Sequence, residues 1–224
     1  GGGGGGDKSA STPQEPVIPE MPETGGCNGM AYEAGMRQLT LTFGGLDRTY
    51  ELHLPNSYDG MNQMPLVLAF HGGGGQSGSQ RRLSHFETLG EQRGFITVYP
   101  DGVERSWNAS PDDTDYAGEN NIDDVGFVDA LITALVTDYC INPGRVYATG
   151  MSNGARLTQR LGCELANKIA AIAPVSGAMP TAIAPTCVPA RPLSVVELHG
   201  TADPLSPYEG GATDTGNPVL SFAD

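Results

Sequence analysis

Basic side chains are scarce in this chain: 12 lysines and arginines stand against 26 aspartates and glutamates, a formal net charge of −14. Nothing supplies the basic face that a nucleic acid or an anionic membrane surface would need, so neither is expected as a partner. Long apolar runs are missing as well, and none approaches the ~18 residues of a membrane-spanning helix. No Gly-Lys-Ser/Thr follows a glycine-rich stretch, which argues against a nucleotide loop that cradles phosphate. C-x-x-C spacing is absent. The acidic runs Asp112-Asp113-Thr114-Asp115 and Asp123-Asp124 lack the glycine and closing glutamate of an EF-hand. A solvated loop and a carboxylate-lined helix N-terminus account for them instead. No metal, no cofactor and no internal repeat are expected.

Only four cysteines are present, Cys27, Cys140, Cys163 and Cys187. An even number without zinc spacing favours disulfides, with three connectivities open; one of them joins Cys163 to Cys187 and Cys27 to Cys140. Oxidised cysteines imply an exported protein. The first residue is glycine and no signal peptide is in view. Residues 1–26, opening on Gly1–Gly6 and continuing through prolines and acids, have no periodicity and read as a disordered tether. Such a leader would suit a lipoprotein whose acylated cysteine lay upstream.

Residues 27–224 read as one domain, expected to be a monomer, with enough chain for a sizeable core. Strands are expected at Gln38–Phe43, Arg48–Leu54, Pro65–Phe70, Phe95–Tyr99, Val146–Thr149, Ile169–Pro174 and Leu193–Leu198, and helices at Gln80–Arg93, Asp124–Tyr139 and Gly154–Ala166. In the second helix Val125, Val128, Leu131, Ile132, Leu135 and Tyr139 recur at helical steps and form one buried stripe. Alternating strands and helices imply an α/β fold, a mostly parallel sheet with helices on both faces. Pro218-Val219-Leu220-Ser221-Phe222-Ala223-Asp224 reads as the opening of a further helix.

Three strand ends carry chemistry. Gly150-Met151-Ser152-Asn153-Gly154 follows the apolar run Arg145–Thr149. A G-x-S-x-G between strand and helix nominates Ser152 as a nucleophile, because small residues two before and two after the serine permit the sharp turn that exposes its Oγ. The Asn153 amide then lies at a helix N-terminus, where an oxyanion would form. The strand Leu66–Phe70 empties into His71-Gly72-Gly73-Gly74-Gly75, whose backbone can approach a substrate carbonyl closely; Gly73 is the expected second donor and Gly74 the fallback. His71 is expected to brace this loop. A third strand ends at His199-Gly200-Thr201-Ala202-Asp203-Pro204, which places Asp203 as the acid that orients a histidine. Trp107 and Tyr208 are candidate walls of a substrate pocket, and each also reads as a core or rim aromatic.

These motifs, with Phe95–Gly102, Ser106-Trp107-Asn108, Asp123–Phe127, Arg145–Gly154 and His199–Tyr208, resemble the α/β-hydrolase esterases that include polyhydroxybutyrate depolymerases and feruloyl and acetylxylan esterases. The resemblance implies hydrolysis of a polyester or of a polysaccharide ester through an acyl-serine intermediate, without a cofactor. It also implies a histidine after the acid. None of the four, His53, His71, His85 and His199, follows Asp203. The expectation is that a last strand, histidine loop and helix lie outside these residues. His199 as the base, an inactive scaffold serving as a binding module, and a peptidase on the same fold remain open alternatives.

Overall fold

A computed structural model describes residues 26–30 and 32–222. Apart from Gly26, the expected tether lies outside the described residues. The chain opens with a hairpin of β1 (Gly35–Phe43) and β2 (Leu46–Leu54), turned by Gly44 and Gly45 at φ 59° and 79°. Two consecutive left-handed residues match the right-handed twist of the strands they join, which is why glycines stand there. Then follow β3 (Met64–Phe70), α1 (Ser77–Ser84), α2 (Phe86–Arg93), β4 (Ile96–Pro100), a short α3 (Tyr116–Glu119), α4 (Asp124–Asp138), β5 (Ile141–Met151), α5 (Asn153–Glu164) and β6 (Ala171–Val175). β7 (Ser194–Val195) ends the sheet, and β8 (Gly211–Ala212) pairs with β9 (Pro218–Val219) in a separate ribbon.

The sheet order is β1-β2-β4-β3-β5-β6-β7. β1, β2 and β4 pair antiparallel, while β4, β3, β5, β6 and β7 run parallel. Side chains alternate across this sheet. On one face Leu66, Leu68, Phe70, Val146 and Ala148 join the α4 stripe of Val128, Leu131, Ile132 and Leu135 and Leu157 and Leu161 of α5 in one core. On the other face α2 lies so close that a Cβ on Gly90 would stand 2.8 Å from the Phe95 carbonyl. Helices on both faces of a mostly parallel sheet are what the alternating pattern implied.

Three expectations are corrected. The helix anticipated over Gln80–Arg93 is two helices, because His85 at φ 52° turns left-handed and closes α1 through its N–H to the Arg81 carbonyl. The strand anticipated over Leu193–Leu198 pairs regularly only at Ser194–Val195, with a further bridge from Leu198 to Val175. It is the edge of the sheet among the described residues, and Val195, Val196 and Leu198 are exposed there. Pro218–Val219, read as a helix start, is instead β9, facing Gly211–Ala212.

Cysteines join Cys27 to Cys140 and Cys163 to Cys187. The first bond ties the start of the described chain to the α4–β5 junction. The second ties α5 to the segment between β6 and β7. No helix among the described residues is long and apolar enough to cross a membrane.

Candidate active site

β5 delivers Ser152 and α5 begins at the next residue, so the serine must turn between them. It does so at φ 54° and ψ −118°, a conformation that costs a non-glycine residue ~1–3 kcal/mol. The surroundings enforce it. Its N–H donates to the Val175 carbonyl, and its own carbonyl accepts from Ala155 and Arg156 at 2.9 and 3.0 Å. A Cβ on Gly150 would meet the Gly154 carbonyl oxygen at 2.4 Å, and one on Gly154 would meet the Phe70 and His71 carbonyls at 2.5 Å. Both glycines are therefore demanded by close backbone approach. Ser152 is exposed while Asn153 through Gln159 behind it are buried.

The glycine loop leaves β3, the strand that pairs with β5, and so arrives beside the serine. Its amides are not equivalent. Gly74 N–H is taken by the Arg105 carbonyl and Gly75 N–H by the Gly72 carbonyl, both at 2.9 Å. The fallback donor Gly74 is thus committed elsewhere. Among the described residues no acceptor takes the Gly73 or Asn153 N–H, and a Cβ on Gly73 would lie 3.8 Å from the Asn153 Cβ.

His71 holds the loop from below. Gly102 N–H donates to its Nε2 at 3.0 Å, which leaves Nδ1 to donate to the Gly72 carbonyl at 2.8 Å. Burial holds its pKa below the ordinary histidine value, which keeps the ring neutral in that tautomer.

Trp107 is fully buried and does not line the cavity at Ser152, so of its two readings the core aromatic holds and the pocket wall does not. Its Nε1 donates to the His71 carbonyl, and its backbone N–H and carbonyl are clamped by the Asn153 amide at 2.8 and 3.0 Å. Of the acids read as a solvated loop, Asp112 is exposed but Asp113 is buried, and Asp124, at the helix N-terminus as read, is buried too. Asp113 accepts from Ala109 N–H, Ser110 N–H and Asn217, and Asp124 is paired with Arg48 at 2.7 Å. Asp123 caps α4 through Gly126 N–H, as its position implied.

Ser152 shares a cavity of about 300 Å³ with Gly72, Gly73, Arg156, Asp203 and Asp214. Asp203 Oδ1 accepts from Ser206 and Leu205 N–H at 3.0 and 2.9 Å, and these bonds hold its carboxyl below the usual carboxylate range. His199 does not line the cavity. Its Nε2 donates to the Ser206 carbonyl at 2.7 Å and stands 3.5 Å from Asp203, with Phe222 packed 4.3 Å from the ring. Tyr208 stacks on Phe222 at 5.3 Å and does not line the cavity either. No histidine lines this cavity among the described residues.

Arg156 is the site residue that motif reading missed. The available signal was a cation one turn beyond the serine, off the apolar face that Leu157 and Leu161 turn to the core. Ser176 and Gly177 also line the cavity; a Cβ on Gly177 would stand 2.6 Å from the Ser152 carbonyl.

A parallel sheet that sets a serine on a strained strand-to-helix turn, beside a glycine loop from the adjacent strand, defines an α/β hydrolase. Solved structures share the fold: an acetyl xylan esterase from Aspergillus awamori at TM-score 0.54 and 24% identity, covering 65% of this chain and 53% of that one. A thermostable esterase aligns at TM-score 0.60 and 21% identity, covering 78% and 48%. More narrowly, the chain belongs to the esterase PHB depolymerase family, whose model matches residues 48–205. It is 33% identical over 170 residues to NocK of Nocardia uniformis subsp. tsuyamanensis, a provisionally named esterase, covering 75% of this chain and 49% of NocK. Feruloyl esterase B of Piromyces equi is 30% identical over 173 residues, covering 74% and 31%. The chain thus spans about half or less of the length of these curated relatives.

Proposed function

We propose that the protein is an exported carboxylic ester hydrolase that works through an acyl-serine intermediate. The observation that carries this reading is the exposed Ser152 on its strained turn, sharing one cavity with Asp203 and Gly73. Ser152 Oγ attacks the ester carbonyl and passes its proton to a base. The Gly73 and Asn153 amides, which hold no other acceptor, bind the oxyanion. Collapse expels the alcohol and leaves the acyl group on Ser152, and water then releases the acid. Asp203, kept ionised by its two backbone donors, orients and stabilises the base as it becomes a cation. The names of its relatives support an ester of plant polysaccharide or a hydroxybutyrate-type polyester as substrate, and the two disulfides support an oxidising compartment.

On this reading the base is an imidazole standing between Ser152 and Asp203, and none of the four histidines provides it. Added imidazole tests both points. It is expected to raise p-nitrophenyl butyrate hydrolysis by this chain well above the imidazole-only rate, with the gain abolished by Ser152→Ala. An equal gain in the Ser152→Ala variant sinks the reading. Among the described residues no histidine lines the cavity, and the second reading is a hydrolase scaffold that binds a surface ester without turnover. Labelling of Ser152 by a fluorophosphonate in the presence of imidazole is expected for the enzyme and absent for the scaffold.

A further inference from the structure

We propose that Arg156 and Asp214 form a donor and acceptor pair that recognises the hydroxyl groups of a sugar unit in the ester substrate. This rests on the ester-hydrolase reading of the cavity and narrows its substrate to a polysaccharide ester.

Arg156 sits one turn into α5, its N–H bonded to the Ser152 carbonyl, so its side chain leaves the helix beside the nucleophile. The residue is 6% exposed and lines the cavity. Burying a guanidinium demands partners; among the described residues Arg156 makes one side-chain hydrogen bond, to Asp113 Oδ1 at a long 3.5 Å, and faces Asp115 through charge alone. That carboxylate is already occupied: Asn217 Nδ2 donates to the same oxygen at 2.7 Å, and Ala109 and Ser110 N–H donate to the other. Asp113 therefore neutralises Arg156 at a distance without engaging its donor fork. Among the described residues Nε and Nη2 hold no bond, and they are not sealed from solvent. The guanidinium is thus fixed, charged and open toward the space in front of Ser152.

The other charges lining that space are Asp203 and Asp214, the latter exposed at the rim. Arginine only donates and an ionised carboxylate only accepts. An anionic substrate would satisfy Arg156 but meet two carboxylates. Inside its chain an aliphatic polyester offers acceptors alone, so it would cover Asp214 without giving it a donor, which costs the desolvation of that group. Adjacent hydroxyls on a neutral sugar donate and accept at once, and they satisfy both ends of the pair.

Binding tests this without catalysis. Xylobiose and the O-acetylated methyl ester of the 3-hydroxybutyrate dimer, which has no hydroxyl, are titrated by calorimetry into the wild-type chain and into S152A, R156K, R156Q and D214N. Xylobiose is expected to bind the wild type and S152A equally, about tenfold more weakly to R156Q, the worth of one charged hydrogen bond, and about threefold more weakly to D214N. R156K is expected to fall between wild type and R156Q, since lysine keeps the charge and loses the fork. Xylobiose bound equally by R156Q, a dimer bound as tightly as xylobiose, or no xylobiose binding to the wild type overturns the proposal. If R156Q does not fold by circular dichroism, D214N at the exposed rim decides in its place, and unchanged binding overturns the proposal. Failure of the esterase reading appears separately, as hydrolysis that does not depend on Ser152.

Discussion

At the scale of single residues, the site is a problem in clearance around one strained peptide. Ser152 holds φ 54° because Val175, Ala155 and Arg156 fix both sides of it, and the strain is tolerated only while the flanking backbones can approach. The glycines of the region therefore divide into two kinds. A Cβ on Gly154 would lie 2.5 Å from two β3-end carbonyls, and neither backbone can yield without moving the glycine loop. A Cβ on Gly73 meets nothing nearer than 3.8 Å. Gly154→Ala is expected to destabilise the protein by about 1–3 kcal/mol and to abolish activity with it. Gly73→Ala is expected to stay within about 0.5 kcal/mol of the wild type while lowering turnover, because the new methyl crowds the space beside the Asn153 amide. Urea unfolding of both variants, paired with initial rates, checks the contrast, and equal stability losses would contradict it.

At the scale of elements, the loops after β3 and β5 meet because those strands are neighbours, and the Asn153 side chain locks the Trp107 peptide against both. The elbow, the glycine loop and the α4 stripe were legible in the sequence because each is a local pattern with one geometric solution. Trp107 was not legible as a support, because an aromatic between polar residues reads the same whether it faces a pocket or the underside of a loop. Asp113 was hidden for a related reason: three acids within four residues signal solvent, and only the fold brings Asn217 and Arg156 against Asp113. The break at His85 and the short β7 depend on contacts with distant elements, and no local period records them. The segment after β6 carries one consequence testable by pH. Glu197 packs beside Gln159, whose Nε2 donates to it at 2.7 Å, and burial pushes its pKa up to about 7. A carboxyl raised in the folded state binds more protons there than in the unfolded chain between about 4.5 and 7, so stability falls as pH rises through that window. Glu197→Gln keeps the partner and removes the charge. The variant is expected to match the wild type near pH 4 and to exceed it near pH 8 in thermal unfolding, and a constant offset at both pH values would rule out the burial of charge as the cause.

At the scale of the whole molecule, the two disulfides constrain the unfolded chain to different degrees. Cys27–Cys140 closes a separation of 113 residues and Cys163–Cys187 one of 24. Loop-closure entropy grows only with the logarithm of length, so the long loop is worth about 5 kcal/mol and the short one about 3.5 kcal/mol. At the Cys27 end of the long loop, Gly26 N–H donates to the Val136 carbonyl, and Tyr32 packs 4.8 Å from Tyr139. The double variant Cys27→Ser/Cys140→Ser is therefore expected to lose more equilibrium stability than Cys163→Ser/Cys187→Ser, by about 1 to 1.5 kcal/mol on this entropy difference. Functional loss should run the opposite way. Cys163–Cys187 anchors α5, the helix that begins at the nucleophile, to the segment leading into β7 and Asp203, so its removal frees the Ser152-to-Asp203 geometry that the catalytic reading needs. Urea unfolding of the two double variants, set beside their Ser152-dependent rates, separates the effects. A larger stability loss at the short loop would mean that native packing, and not chain entropy, governs what these bonds contribute.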